Sequence, residues 1–265
     1  MRLSLALASA SMLVLAACAG VSPAQTPSPI VPVVAPVAVP SATGTLRPSR
    51  TTWAQATSDV APDPAIRFGT LPNGMRYAIM HNATPPGQAS LRLRVDAGSL
   101  MEQDDQRGLA HFIEHMAFNG TTNVPEGQLL PILERLGLAF GPDTNAFTSF
   151  DQTVYQLDLP HTDAETVDTG LMIMHDMVSG ATLAADAIDR ERGIVLSEER
   201  TRASPGLRSA LANFDFLMRG QRAAVRFPIG DPDILAQAPR ERLAAFYSAY
   251  YRPERTTLVA VGDFD

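Results

Sequence analysis

Two kinds of hydrophobic spacing alternate along the chain from about residue 65 onward, and they limit its fold more than any other feature. Apolar residues occupy every second position in segments 91–95 and 152–159, as in strands with one buried face. Segments 163–179 and 184–202 have the spacing of long helices. Strands also occur in pairs, because Asn73-Gly74 separates two apolar runs and is a strong hairpin signal. The pattern predicts an α+β fold, a two-layer sandwich in which a mostly antiparallel sheet packs against helices.

Shorter segments complete this pattern and indicate that the folded part covers residues 51–265. Helices are predicted over residues 108–118 and 240–250, and a further helix is predicted to end at Leu136. A closing strand is predicted over residues 256–261. The sequence contains no internal repeat, so we predict that this part is a single domain.

The N-terminal residues 1–18 have the features of a bacterial lipoprotein signal peptide. Arg2 precedes about 15 apolar residues, which are too few to span a bilayer but are suited to a secretory signal. The segment ends in Leu-Ala-Ala-Cys, which resembles the lipobox that is cleaved before a lipidated cysteine, and Cys18 is the only cysteine in the chain. We therefore predict lipidation of Cys18 and a location in the bacterial cell envelope, anchored at the outer membrane and facing the periplasm. Ordinary secretion, with Cys18 incidental, is the alternative.

Residues 19–50 form a Pro/Ala-rich segment that we interpret as a tether. Seven of the 21 prolines lie in it, and it has neither helical nor strand spacing. Such a composition favours extended polyproline II structure. The segment is therefore expected to hold the folded domain away from the membrane as a semi-rigid spacer.

Charge and residue usage exclude several functions. The chain has 21 basic and 28 acidic residues and a formal net charge of −7, so it lacks the basic excess that is typical of nucleic-acid binding. It contains no Lys, which excludes Schiff-base chemistry and the P-loop lysine. A single cysteine excludes both a disulfide framework and a thiolate zinc site.

The chemistry is concentrated in the motif His111-Phe112-Ile113-Glu114-His115. Two histidines four residues apart share one face of a helix and can direct a ring nitrogen at one ion. Catalytic zinc takes three protein ligands and keeps its fourth position open. Glu114 can reach the edge of such a site without being a ligand, and there it can take a proton from a water molecule that the metal activates. The motif therefore predicts a zinc ion bound by His111 and His115, with Glu114 as the general base.

The third ligand is expected from the long helix over residues 184–202, which offers Glu191, Glu198 and Glu199. Glu191 and Glu198 lie seven residues apart and differ by only about 20° around a helix, so they share one face. Glu199 is turned about 80° away from Glu191, and we expect it to face solvent. The residues alone leave both Glu191 and Glu198 as candidates.

Around these residues the sequence resembles the pitrilysin/insulinase family of zinc peptidases, the inverzincins, to which mitochondrial processing peptidase belongs. The resemblance covers the folded part and is carried by residues 108–121, 133–137, 145–149, 191–198 and 258–264. It implies that the domain is a pitrilysin/insulinase-type peptidase domain, that Glu198 is the third zinc ligand, and that Glu191 supports the site without binding the metal. It also implies that Asn145 and Ala146 lie on an edge strand that binds the substrate backbone.

The resemblance also implies a partner for the domain. Members of this family carry a second, related domain that closes over the substrate and supplies Arg and Tyr groups to the reacting carbonyl. We therefore expect a second homologous domain or a partner chain to close the active site. One local departure from the family is Pro131, which stands where a helix former is usual and is expected to shift the start of its helix.

Together these features predict a zinc-dependent endopeptidase that hydrolyses peptides or unfolded protein segments. His111, His115 and Glu198 are expected to bind one zinc ion per chain. Glu114 is expected to activate water and later to protonate the leaving amine. The expected partners are a peptide substrate and a membrane reached through the lipid anchor, with no nucleic acid. Two alternatives stay open: an incomplete or partner-dependent peptidase subunit, and a non-catalytic zinc-containing lipoprotein that serves as a binding module.

Overall fold

A computed structural model describes residues 53–264 of the chain. The predicted signal peptide over residues 1–18, the predicted lipidation at Cys18 and the predicted tether over residues 19–50 lie outside the described residues. Within residues 53–264, no helix combines the length and the apolar composition needed to cross a membrane.

One mixed sheet of six strands forms the centre of the fold. The strands are β1 (Ile66–Thr70), β2 (Arg76–His81), β3 (Ala89–Val95), β4 (Thr144–Thr148), β5 (Thr153–Leu159) and β6 (Thr256–Gly262). Their order across the sheet is β1-β2-β6-β3-β5-β4, so β4 forms one edge and β6 lies in the interior. β2 and β6 run parallel, and the other neighbouring pairs run antiparallel. The α+β fold with a mostly antiparallel sheet, predicted from the sequence, is confirmed.

Local sequence explains how the first hairpin forms and which face of the sheet is buried. The β1–β2 connection turns at Asn73-Gly74, where Gly74 has a φ of 91°, a conformation that glycine adopts at little cost. The Asn73 side chain accepts a hydrogen bond from the Met75 N–H at 3.1 Å and so stabilises the turn. β3 buries every second residue, and the residues between them are partly exposed. One face of the sheet therefore lies in the core.

Seven α-helices lie within residues 53–264: α1 (Leu109–Met116), α2 (Leu129–Arg135), α3 (Ala164–Ser179), α4 (Ala185–Arg202), α5 (Pro205–Leu217), α6 (Pro232–Gln237) and α7 (Arg240–Tyr250). α1 and α3 pack against the sheet, and α4 packs against α1. Helices α5 and α6 are not predicted from the sequence. Pro131 lies in the first turn of α2, where proline is tolerated because the first N–H groups of a helix have no helical acceptor.

α1 carries the histidine motif and is almost completely buried, with seven of its eight residues in the core. The carboxylate of buried Glu102 accepts hydrogen bonds from the N–H groups of Gly108 and Ala110, at 3.0 and 2.9 Å, and so caps the start of the helix. Burial raises the pKa of Glu102 to about 7, although these hydrogen bonds oppose the rise. On the other side, the Arg192 guanidinium of α4 lies 5.6 Å from the centroid of the Phe112 ring. These contacts fix the position of the motif.

Candidate metal centre

Three side chains from two helices converge at the predicted site. His111 and His115 lie four residues apart on α1, and Glu198 reaches them from α4. The Nε2 atoms of His111 and His115 are 3.2 Å apart. The Oε2 atom of Glu198 lies 3.6 Å from His111 Nε2 and 3.3 Å from His115 Nε2. The structure therefore brings together the three residues predicted as metal ligands.

The spacing of these three atoms fits a zinc ion. Zinc lies about 2.0–2.1 Å from a histidine nitrogen, and tetrahedral geometry then separates neighbouring ligand atoms by about 3.3 Å. The observed separations are 3.2, 3.3 and 3.6 Å. Among residues 53–264, no other group of three His, Cys, Asp or Glu side chains places its donor atoms close enough to hold one ion. Three protein ligands would leave the fourth position of a zinc ion open, as in catalytic zinc sites.

Burial and neighbouring charges set the protonation of these side chains. Burial lowers the pKa of His111 to about 3, and the adjacent His115 contributes to the fall. The His111 ring is therefore neutral and keeps a lone pair for a metal. Burial also opposes a charge on His115, but its hydrogen bonds to Glu191 and Glu198 outweigh that effect and raise its pKa. The pKa of Glu198 falls despite partial burial, because the two histidines and Arg202 favour its anion.

Contacts on the far side of two predicted ligands orient them. Glu191 accepts a hydrogen bond from His115 Nδ1 at 2.7 Å, so the other ring nitrogen, Nε2, points toward the remaining two ligands. Glu191 itself lies outside the three-atom group. The Oε1 atom of Glu198 forms an ion pair with Arg202, which leaves Oε2 to face the histidines. His115 and Glu198 are therefore each oriented by a contact on the side that faces away from the other predicted ligands.

Glu114 precedes His115 on α1 and is buried. Its Oε2 atom accepts a hydrogen bond from the hydroxyl group of Thr148, on β4, at 2.5 Å. Burial raises the pKa of Glu114 to about 7, and the charge of His115 and the Thr148 hydrogen bond oppose the rise. A carboxyl group that titrates near neutral pH can both accept and return a proton. This is the property that a general base in this position requires.

The edge strand β4 presents backbone groups next to this site. Just beyond the two ends of β4, the Asp158 N–H donates a hydrogen bond to the Asp143 carbonyl oxygen, and the Ser149 N–H donates one to the Gln152 carbonyl oxygen. Hydrogen-bonded and non-hydrogen-bonded residue pairs alternate along antiparallel strands. Ala146 lies three residues from each of these hydrogen-bonded pairs and is therefore in a non-hydrogen-bonded pair, so its N–H and C=O groups point away from β5. The Asn145 side-chain oxygen accepts a hydrogen bond from the Ala146 N–H at 2.8 Å. The structure thus places Asn145 and Ala146 on the open edge of the sheet, in the strand whose Thr148 contacts Glu114.

Three further contact residues are not among the residues predicted from the sequence. They are Thr148, Asn119 and Arg202, which bond to Glu114, Glu191 and Glu198 respectively. The first two contacts join residues 34 and 72 positions apart, so no local pattern marks them. The Arg202–Glu198 pair has a signal in the sequence, because residues four apart meet on the surface of a helix.

The chain is similar in sequence and in fold to known peptidases. Residues 77–213 match the family described as Insulinase (Peptidase family M16). The Probable zinc protease PqqL of Haemophilus influenzae is 40% identical over 203 residues, which are 77% of this chain and 22% of that protein. The mitochondrial-processing peptidase subunit beta of Lentinula edodes is 31% identical over 207 residues, 76% of this chain and 42% of that protein.

A solved structure gives the same result for the fold. The first half of the periplasmic protease PqqL from Escherichia coli matches with a TM-score of 0.75 and 38% identity, over 78% of this chain and 44% of that structure. The chain spans only 22% of the length of the full PqqL sequences. The family match covers more than half of the chain, from β2 into α5, and it includes the histidine motif and the two glutamates of α4. The resemblance seen in the sequence is confirmed, and the chain belongs to the insulinase family of zinc peptidases, peptidase family M16.

Proposed function

We propose that this chain is the zinc-binding catalytic domain of an endopeptidase that hydrolyses peptides or unfolded protein segments. The observation that carries the proposal is the convergence of His111, His115 and Glu198, with the buried carboxyl group of Glu114 next to His115. In this proposal the three converging side chains hold one zinc ion per chain. The names of the PqqL relatives, which are zinc proteases, support the choice of metal.

Glu114 moves the protons of the proposed reaction. When bound, zinc supplies a Lewis acid that polarises a carbonyl oxygen and lowers the pKa of a water molecule toward about 7. Glu114 accepts a proton from the attacking water and delivers it to the amine nitrogen as the carbon–nitrogen bond breaks. Thr148 holds one oxygen of Glu114 by its hydrogen bond, which leaves the other oxygen available to the water. Glu191 holds the His115 ring through Nδ1 throughout.

The open edge of β4 provides a place for the substrate to bind as an additional strand. Ala146 directs its backbone groups away from β5, and an extended peptide can pair with them. Such pairing requires an extended substrate, which short peptides and unfolded segments supply. Asn145 gives up its hydrogen bond to the Ala146 N–H when the peptide takes that donor. Because Thr148 lies on the same strand and contacts Glu114, a peptide on this edge lies beside the general base.

A partner-dependent peptidase is the second candidate. The chain spans 22% of the length of its PqqL relatives, and those proteins contain further residues with no counterpart in it. In that case the domain binds zinc but cleaves only when a second homologous domain or a partner chain covers the site. A non-catalytic zinc-binding module has less support, because structural zinc is held by four protein ligands and needs no carboxyl group in the position of Glu114.

Metal removal tests the proposed activity. We expect the chain, alone or mixed with a partner domain, to hydrolyse an unstructured fluorogenic peptide. Chelation should abolish this hydrolysis, because the ligands then hold no Lewis acid, and one equivalent of zinc should restore it. The measurement is the rate of fluorescence release, with the metal content determined in the same samples. Hydrolysis that persists in metal-free protein would contradict the proposal, and cleavage only with the partner domain would select the second candidate.

We also propose that the domain is exported and held by a lipid. Residues 1–18 act as the lipoprotein signal peptide, residues 19–50 as the tether and residues 51–265 as the peptidase domain. The Escherichia coli relative is described as a periplasmic protease, which supports a location in the bacterial envelope. A lipid on Cys18 would hold the domain at the outer membrane, facing the periplasm.

Cys18→Ser is expected to release the protein from membranes. Without the thiol no diacylglycerol can be attached, and the apolar segment before Cys18 is too short to span a bilayer. The measurement is the distribution of each form between the membrane and soluble fractions of the cells that express it. If Cys18→Ser stays with the membranes as the wild type does, the lipoprotein proposal is wrong and a plain signal peptide or an uncleaved anchor takes its place.

A further inference from the structure

Asn119 connects the two helices that carry the predicted metal ligands. It lies just after α1, four residues beyond His115. Its side-chain Nδ2 donates a hydrogen bond to Glu191 Oε2 at 2.9 Å and another to the His115 carbonyl oxygen at 3.1 Å. One amide group therefore joins the end of α1 to the middle of α4.

The contact with Asn119 completes the hydrogen bonding of a buried carboxylate. The Glu191 side chain is only 9% exposed. Its Oε1 atom accepts a hydrogen bond from His115 Nδ1, and its Oε2 atom accepts one from Asn119. Two contacts thus fix the plane of the carboxylate, where one would let it rotate. Loss of Asn119 would remove the partner of a buried anionic oxygen and favour a turn of the carboxylate toward other donors.

We propose that Asn119 is a positioning residue of the metal centre, acting through Glu191 and then through His115. By holding Glu191 Oε2, Asn119 keeps Oε1 on His115 Nδ1, and that bond directs His115 Nε2 toward the other two ligands. The inference rests on the proposed function, because it takes His115 Nε2 as a metal ligand. Groups that orient a ligating histidine change metal affinity by about 10–100-fold when they are removed.

A second asparagine, Asn123, makes an equivalent contact elsewhere and provides a control that distinguishes positioning of the metal centre from simple support of the loop. Asn123, in the same connection between α1 and α2, donates its side-chain Nδ2 to the buried Asp176 carboxylate at 2.9 Å. The two contacts have the same chemistry and the same length, but Asp176 lies on α3 and touches none of the predicted ligands. Asn123→Ala therefore removes an equivalent hydrogen bond and leaves the metal centre unchanged.

The experiment measures the dissociation constant for zinc by competition with a chromogenic chelator. The proteins are the full chain, Asn119→Ala, Asn123→Ala, Glu191→Ala and the double variant Asn119→Ala/Glu191→Ala. We expect Asn119→Ala to weaken zinc binding by about tenfold and Glu191→Ala by up to about 100-fold. Asn123→Ala should change the constant by less than about twofold. Adding Asn119→Ala to Glu191→Ala should also change it by less than about twofold, because the carboxylate that Asn119 holds is then already absent.

One further measurement and one further variant serve as controls for this comparison. Thermal unfolding of the metal-free forms shows whether Asn119→Ala and Asn123→Ala destabilise the loop to the same degree. Asn119→Leu, which fills a similar volume without a donor, replaces Asn119→Ala if the latter does not fold, and it should weaken zinc binding by the same factor.

Several results would overturn the inference. One is an unchanged dissociation constant for zinc in the Asn119 variants. Another is a further loss of zinc affinity, again by about tenfold, when Asn119→Ala is added to Glu191→Ala, since Asn119 would then not act through the Glu191 carboxylate. Equal losses in Asn119→Ala and Asn123→Ala would assign the effect to the loop as a whole. Failure of the proposed function gives a different result, because the wild-type chain would then bind no zinc, or His111→Ala would keep it. The inference about Asn119 would then also be wrong.

Discussion

Glu198→Gln is expected to remove zinc from the chain. The substitution preserves the volume of the side chain but replaces the carboxylate whose Oε2 faces both histidines with a neutral amide. Losing one of three protein ligands should weaken binding by more than the roughly 100-fold that removal of a supporting contact costs. His111→Ala and His115→Ala should have the same effect. The measurement is the zinc content of each protein after equilibration at low free zinc.

Glu199→Gln is the matched control for this experiment. Glu199 neighbours Glu198 on α4 and lies outside the three-atom group, so the control should keep one zinc per chain. Glu191→Gln is expected to lose only about 10–100-fold in affinity and to fill with zinc at saturating concentration. Zinc that is retained in Glu198→Gln but lost in Glu191→Gln would show that the roles of the two carboxylates are exchanged.

Glu114→Gln is expected to keep both zinc and the fold while it abolishes peptide hydrolysis. Gln is nearly isosteric with Glu, so the packing of α1 and the contact with Thr148 should persist. What disappears is the oxygen that accepts a proton from the attacking water, and loss of a general base costs on the order of 10²–10⁴ in rate. The measurement is kcat/KM for an unstructured peptide, in a preparation whose wild type cleaves, with a partner domain added where one is required.

Binding and chemistry can be separated in the same variant. Because the β4 edge is unchanged, Glu114→Gln should bind the peptide as the wild type does while kcat falls. Metal analysis and circular dichroism serve as controls for zinc content and folding. Equal cleavage by the two forms, both with zinc bound, would show that Glu114 is not the general base. A wild type that never cleaves, even with a partner domain, would favour the non-catalytic binding module.

The elements with a strong local pattern are the ones that the sequence predicts. The hairpin at Asn73-Gly74 and the alternation in β3 and β5 occur in the structure, because each reflects a turn conformation or a single buried sheet face. Helices α3, α4 and α7 begin and end within one residue of the predicted bounds. Their length explains this success, since a helical period is recognisable over several turns.

Helices α5 and α6 and strand β4 are not predicted from residue spacing. α5 carries apolar residues at helical spacing, at Leu207, Leu211 and Phe214, but none of its residues is fully buried and the helix is not among those predicted. α6 has six residues, fewer than two helical turns, which is too short for a helical period to be recognised. β4 has the sequence Thr-Asn-Ala-Phe-Thr, in which apolar and polar residues do not alternate. The edge position of β4 is anticipated only through the family resemblance, because side-chain alternation does not identify the neighbours of a strand.

The residues of the candidate metal centre are likewise only partly predictable from the sequence. His111 and His115 follow from helical spacing alone, because both lie on one short helix. The spacing of Glu191 and Glu198 identifies a shared helix face but does not distinguish the two residues. They differ in the structure because α4 crosses α1 so that Glu198 meets the Nε2 atoms and Glu191 meets Nδ1 of His115. Packing between helices creates that difference, and no local pattern encodes it.

Among residues 53–264, β6 is the last strand in sequence, and it joins the two parts of the sheet. It lies between β2 and β3, pairing Thr257 with Arg76 and Thr256 with Val95. Before β6 is synthesised, β1–β2 and β3–β5–β4 are two separate pieces, and β2 and β3 each expose an unpaired edge. Pairing between residues so distant in sequence must close a large loop and is slow. The sheet of this domain therefore cannot be complete until β6 has been synthesised and has paired with both β2 and β3.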